Sequence, residues 1–198
     1  MQKTNEKGFD VTYTRASLFR TSRTEIFHLI AGILVFFIVD VPQFLQFGFT
    51  IILIMLFITA SAFTIHEIAH KLMAQQYGLW SEFRLNPFGV VISVLTAFSP
   101  FKIIAPGAVL IFGVGGTKER IGKIAMVGPL TNMIQALVFI FLAQFVPIFW
   151  VAAILNTELA IFNLIPVSIL DGQKIFTWSK TVWGMFFVIS IILLIFIR

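Results

Sequence analysis

Residues 51–73 read IILIMLFITASAFTIHEIAHKLM, and inside this apolar run stands Phe63-Thr64-Ile65-His66-Glu67-Ile68-Ala69-His70. The run is long enough to span a bilayer as a helix. That makes His66, Glu67 and His70 expensive, because ionisable groups within a membrane are costly and tend to mark function. Residues four apart on a helix lie on one face, so both imidazoles can reach a single metal ion. Glu67, about 100° round the helix, can reach a water held there. Chance placement of three His and nine Asp and Glu in 198 positions gives this spacing at a rate of roughly 0.002. The bland alternative is a pair of packing histidines bonded to backbone carbonyls, a role that lipid makes costly.

Composition sets the class. Hydrophobic residues make up 59% of the chain and charged residues 12%, with a mean hydropathy of +0.98. A soluble globular domain carries about a quarter charged residues, so the chain is read as an integral, multi-pass membrane protein. No Pro- or Ser-rich linker divides it, and residues 1–198 are expected to form one domain. The absence of cysteine removes disulfides and thiolate ligands together, leaving His, Asp and Glu to hold a metal.

The expected architecture is a membrane all-α bundle of about five transmembrane helices, with a small membrane-associated β-sheet after the second. A polar tail, 1–24, precedes spans over 25–41, 47–77, 121–146, 148–165 and 182–197. In the tail, Val11 to Thr14 alternate like a strand, and Ser22 with Glu25 has the spacing of a capping box. Segment 79–116 is apolar but cut by Asn86-Pro87, Ser99-Pro100, Ala105-Pro106-Gly107 and the glycines at 113, 115 and 116. Its β-branched runs, Val90 to Leu95 and Ala108 to Phe112, read as strands of a partly re-entrant β-hairpin or small sheet packed beside the metal helix. Such backbone survives at membrane depth only when buried in protein or lining a wet cavity. Pro129 predicts a bend in the third span, and Pro166 ends the fourth, after which Ser168 to Gly172 are expected to follow as an unwound segment.

Lys and Arg orient the chain. Of 14, five fall in 1–24, six in 71–123 and two in 166–181, which places those segments and the N-terminus in the cytoplasm. His66 then lies about 16 Å from the cytoplasmic end of its helix. The net charge of +5 follows this topology, so no nucleic-acid partner is expected.

A catalytic zinc site ordinarily has three protein ligands and one open position. The carboxylates outside the motif within or near the membrane are Asp40, Glu158 and Asp171. Asp40 belongs at the extracellular end of its helix. Asp171 follows the break at Pro166, at a depth compatible with His66 and His70, and is favoured over Glu158, about three turns deeper.

At this point the chain resembles the site-2 protease family of intramembrane metalloproteases. Asn163-Leu164-Ile165-Pro166 followed by Asp171-Gly172 is similar to that family's Asn-x-x-Pro…Asp-Gly element. The His66-Glu67-x-x-His70 helix and Gly128-Pro129-Leu130-Thr131-Asn132 stand in the family's order, and the similarity covers roughly residues 25–175. The resemblance implies hydrolysis of a peptide bond in transmembrane segments by zinc-activated water. It implies one Zn²⁺ per chain, with His66, His70 and Asp171 as ligands, Glu67 as general base, and Asn132 and Asn163 as polar groups positioning the site. Asn as interhelical hydrogen-bond glue is the plainer reading of those two. Substrates would be single-span membrane proteins or signal peptides, in a prokaryotic cell membrane, and the 79–112 segment would receive unfolded substrate by strand addition. Two other readings remain: a zinc peptidase acting on lipidated C-termini with Glu158 as third ligand, and a non-catalytic metal carrier or scaffold.

Overall fold

The computed structural model describes residues 21–40, 45–97, 99, 104, 106–112, 117–167 and 170–198. The expected strand at Val11 to Thr14, the glycines at 113, 115 and 116, and most of the turn after the first helix lie outside the described residues. Among the described residues, seven α-helices and a two-stranded sheet follow in the order α1 (Arg23–Asp40), α2 (Phe49–Gln76), β1 (Trp80–Leu85), α3 (Pro87–Leu95), β2 (Gly107–Phe112), α4 (Lys118–Ala143), α5 (Phe149–Leu164), α6 (Asp171–Trp178) and α7 (Lys180–Ile197).

The surface is that of a protein dissolved in lipid. Phe57, Phe49, Phe141 and Phe196 are largely exposed, while His66, Glu67, His70, Asn132, Asn156 and Asp171 are buried. Three helices, α2, α4 and α7, are long and apolar enough to cross a membrane. Helix α5 is apolar but has 16 residues, and α1 carries Arg23, Glu25 and Asp40 within its 18. Among the described residues the long apolar helices therefore number three, where the sequence predicts about five spans.

Helix α2 stops where the chain needs a left-handed residue. Gly78, at φ +73°, donates its N–H to Gln75 O at 2.9 Å, and Leu79 N reaches back to Ala74 O at 3.0 Å. This pairing satisfies the last carbonyls of the helix and turns the chain sharply into β1. Strand β1 pairs antiparallel with β2, Phe83 opposite Val109. A side chain at Gly107 would run into Arg84 O of the facing strand, so only glycine lets the two backbones close at this end.

Two local expectations are corrected. Val90 to Leu95 is not a strand: it lies in α3, and the partner of β2 is β1. The Asn86 side chain accepts from Phe88 N at 3.0 Å and Gly89 N at 3.3 Å, with Pro87 opening the helix. This N-cap signature outweighs the β-propensity of the valines. Similarly, Asp171-Gly172 is not unwound but begins α6, with Leu170 as its cap residue.

At the start of α1 only half of the capping box forms. Glu25 N donates to Ser22 Oγ at 3.1 Å, but the Glu25 carboxylate turns away into the protein. There it binds Lys71 Nζ of α2, accepts from Phe83 N of β1 at 3.0 Å and from Thr21 Oγ1 at 2.6 Å. Three elements are tied at one buried carboxylate. Beside it Phe36, Ala62, Phe63, Phe83 and Leu159 form a hydrophobic cluster, while α4, with Pro129 inside it, packs against α2, α5 and α6.

Candidate active site

His66 and His70 project from one face of α2, and α4 fixes both rings from behind. His70 Nδ1 lies 2.7 Å from Ile124 O, a carbonyl that can only accept. His66 Nδ1 lies 2.5 Å from Asn132 Oδ1. The Asn132 amide nitrogen spends its protons on Ala62 O and Asn156 Oδ1, each at 3.1 Å, which leaves its oxygen to face the ring. Both histidines therefore carry the proton on Nδ1 and turn the Nε2 lone pair inwards. Asn156 is anchored in turn by Ala152 O at 2.9 Å.

Asp171 enters from α6. A side chain at Gly172 would strike Leu164 O at the end of α5, so glycine lets the first turn of α6 seat there. The same carbonyl accepts from Trp183 Nε1 of α7 at 2.7 Å. Asp171 Oδ2 comes within 2.9 Å of His70 Nε2 and 3.3 Å of His66 Nε2, and the two Nε2 atoms are 3.0 Å apart.

Three acceptors thus point at one another in a buried place, which requires positive charge among them. A tetrahedral zinc with bonds of about 2.0–2.1 Å sets its donors about 3.3 Å apart, close to the spacing of these three. The paired Nδ1 contacts are the outer support that metal-bound histidines use. The donor set fits a single divalent ion, and it is the one group of His, Asp and Glu among the described residues suited to hold one. Opposite them Gly128 leaves the room they need: a Cβ there would overlap His70 Nε2 and stand 2.6 Å from His66 Nε2.

An open cavity of about 1030 Å³ lies against the triad. Glu67 lines it together with Asn163, Lys174 and residues Gly107 to Ile111 of β2, and Glu67 Oε2 is buried without a hydrogen-bond partner among the described residues. Asn163 donates to Leu159 O of its own helix at 3.0 Å and is not joined to the triad. Glu158, the alternative third ligand, is half-exposed and pairs with Arg198 at 2.8 Å, so it is not brought to the imidazoles. Sequence reasoning missed Asn156 and Lys174. Asn156 follows no motif, and its place is visible only once α4 and α5 pack. Lys174 stands three residues after Asp171, a spacing that could have drawn attention to it.

The fold and this triad define a membrane-embedded, helical protein with a His-His-Asp group of the kind peptidases use. A family model described as Peptidase family M50 matches residues 143–186, the part that carries Asn163 and Asp171. A protein of Methanocaldococcus jannaschii named "Putative zinc metalloprotease" is 36% identical over 178 residues, covering 85% of this chain and 92% of its own. No solved structure matches the chain significantly. The chain belongs to peptidase family M50, the site-2 protease family, and is an integral membrane metalloprotease.

Proposed function

We propose that this protein is an intramembrane zinc endopeptidase that cuts transmembrane segments of single-span membrane proteins or signal peptides. The observation that carries the reading is the convergence of His66 Nε2, His70 Nε2 and Asp171 Oδ2 within 2.9–3.3 Å beside an open cavity. In this reading those three hold one Zn²⁺, and Asn132 and Asn163 are positioning groups. Zinc held there supplies Lewis acidity, lowering the pKa of a water towards about 7 and polarising the scissile carbonyl. Glu67 takes the proton of the attacking water on its carboxylate and delivers it to the leaving amide nitrogen as the C–N bond breaks. Asn132 holds His66 in the tautomer that offers Nε2. Asn163, which lines the cavity, would meet substrate backbone.

The substrate must be unwound for its amide to be reached, and β2 offers the means. Phe83 N is taken by Glu25, so in an antiparallel ribbon the pair Phe83–Val109 points its backbone groups outwards. The outer side of β1 packs on α1, while by the same register the N–H and C=O groups of Val109 and Ile111 point away from β1, with no backbone partner among the described residues. An extended peptide can add there. The chain is read as a single domain crossing the membrane about five times, α1 and α5 completing the three long spans. Its N-terminus faces the cytoplasm of a prokaryotic cell, in keeping with the archaeal relative.

The test pairs metal analysis with cleavage of a single-span peptide in detergent or bilayer. Wild type is expected to hold one zinc per chain, and Glu67→Gln to keep that zinc while kcat drops by about 10²- to 10⁴-fold. Undiminished cleavage by the variant removes Glu67 as base. A metal-free but active wild type overturns the zinc reading.

A further inference from the structure

The two oxygens of Asp171 have different partners. Oδ2 faces the imidazoles, at 2.9 Å from His70 Nε2 and 3.3 Å from His66 Nε2. Oδ1 instead accepts from Lys174 Nζ at 3.1 Å. The two residues are three apart on α6 and so share a face. The Asp171 side chain is 9% exposed and that of Lys174 is 35% exposed, so the ammonium stands where the cavity meets the triad and lines that cavity. A surface pair at this spacing contributes little. Here, however, one partner is a buried carboxylate already committed through its other oxygen.

A carboxylate with both oxygens free can grip a cation through both. At a hydrolytic zinc site a second oxygen would fill the position that water and substrate need. We propose that Lys174 is a positioning residue that occupies Asp171 Oδ1, restricts ligation to Oδ2 and so keeps the cavity side of the metal open. This rests on the assignment of His66, His70 and Asp171 as ligands. The charge of Lys174 acts by making the two oxygens inequivalent: turning Oδ1 towards the ion breaks a charge-assisted hydrogen bond that Oδ2 cannot replace. Arginine in its place would serve, and a neutral chain of equal length would not.

Cobalt(II) reports coordination number through its visible bands, independently of turnover. The full chain in detergent, loaded with cobalt in place of zinc, is expected to show the intense bands of a four-coordinate ion. Lys174→Met is expected to keep one cobalt per chain while those bands lose half or more of their intensity. With zinc, its kcat on a single-span peptide should fall about tenfold, a common effect of removing an outer-shell partner, with KM within about twofold. Lys174→Arg should restore both the spectrum and kcat. A Met variant with the wild-type spectrum overturns the proposal, whatever its activity, and so does an Arg variant as impaired as Met. Wild type that takes up no stoichiometric cobalt sinks the ligand assignment itself, which separates that failure from this one.

Discussion

Gly128 governs the site by what it lacks. Its Cα faces both imidazoles, and a methyl group there would overlap His70 Nε2. Alanine favours helix over glycine by about 1 kcal/mol, so Gly128→Ala is expected to leave α4 intact while displacing both rings. We expect its helix content by circular dichroism to equal wild type and its zinc affinity, by chelator competition, to fall about 10- to 100-fold. At this scale the sequence was informative about identity and silent about support. His66, Glu67 and His70 declare themselves because three ionisable groups in an apolar helix need a reason. Asn132 came only with the resemblance, and Asn156 could not be seen. It matters because its Oδ1 accepts a hydrogen bond from the Asn132 amide at 3.1 Å across two helices, and no spacing along the chain encodes that contact.

Among the elements, the ribbon and α3 teach most. Ala108 to Phe112 is legible as a strand, and β2 bears this out. Its partner was misread because Trp80 to Leu85, WSEFRL, mixes charge into a run that is buried at Ser81, Glu82 and Phe83. Glu82 is neutralised by Arg84 two residues along, so a strand that looks like a loop is internally paired. Valines 90 and 91 pulled the other way, until the Asn86 cap decided for helix. The free edge of β2 gives a prediction at this scale. Val109→Pro removes one outward N–H without touching the ladder to β1, so zinc content and stability should hold. The specificity constant kcat/KM should drop about tenfold, the worth of one backbone hydrogen bond to the substrate. Leu110→Pro, on the paired side, should instead lower Tm and unravel the ribbon. Equal effects from the two variants would argue against strand addition.

For the whole molecule, hydropathy separates lipid from protein but does not count helices. Helix α5, at 16 residues, and α1, with three charges, fall outside a length-and-apolarity rule even though both pack within the bundle. Lys71 illustrates the same limit. Counted with the cytoplasmic positive charges, it is in fact buried against Glu25, which also holds Phe83 N. Removing one partner of such a pair strands the other, at a cost of about 3–5 kcal/mol. Lys71→Met should therefore lower the unfolding midpoint in detergent markedly. The double variant Glu25→Gln with Lys71→Met, which keeps an acceptor for Phe83 N and buries no charge, should recover most of the loss.

That single carboxylate also decides from which side the ribbon can be approached. With Phe83 N spent on Glu25, the ribbon can be extended only from the β2 side, which lines the cavity. A sheet with both flanks bare would offer two edges for pairing, whereas here Glu25 occupies a donor of the β1 edge. If substrate adds as a strand, it does so beside Val109, on the face that shares its cavity with His66 and His70.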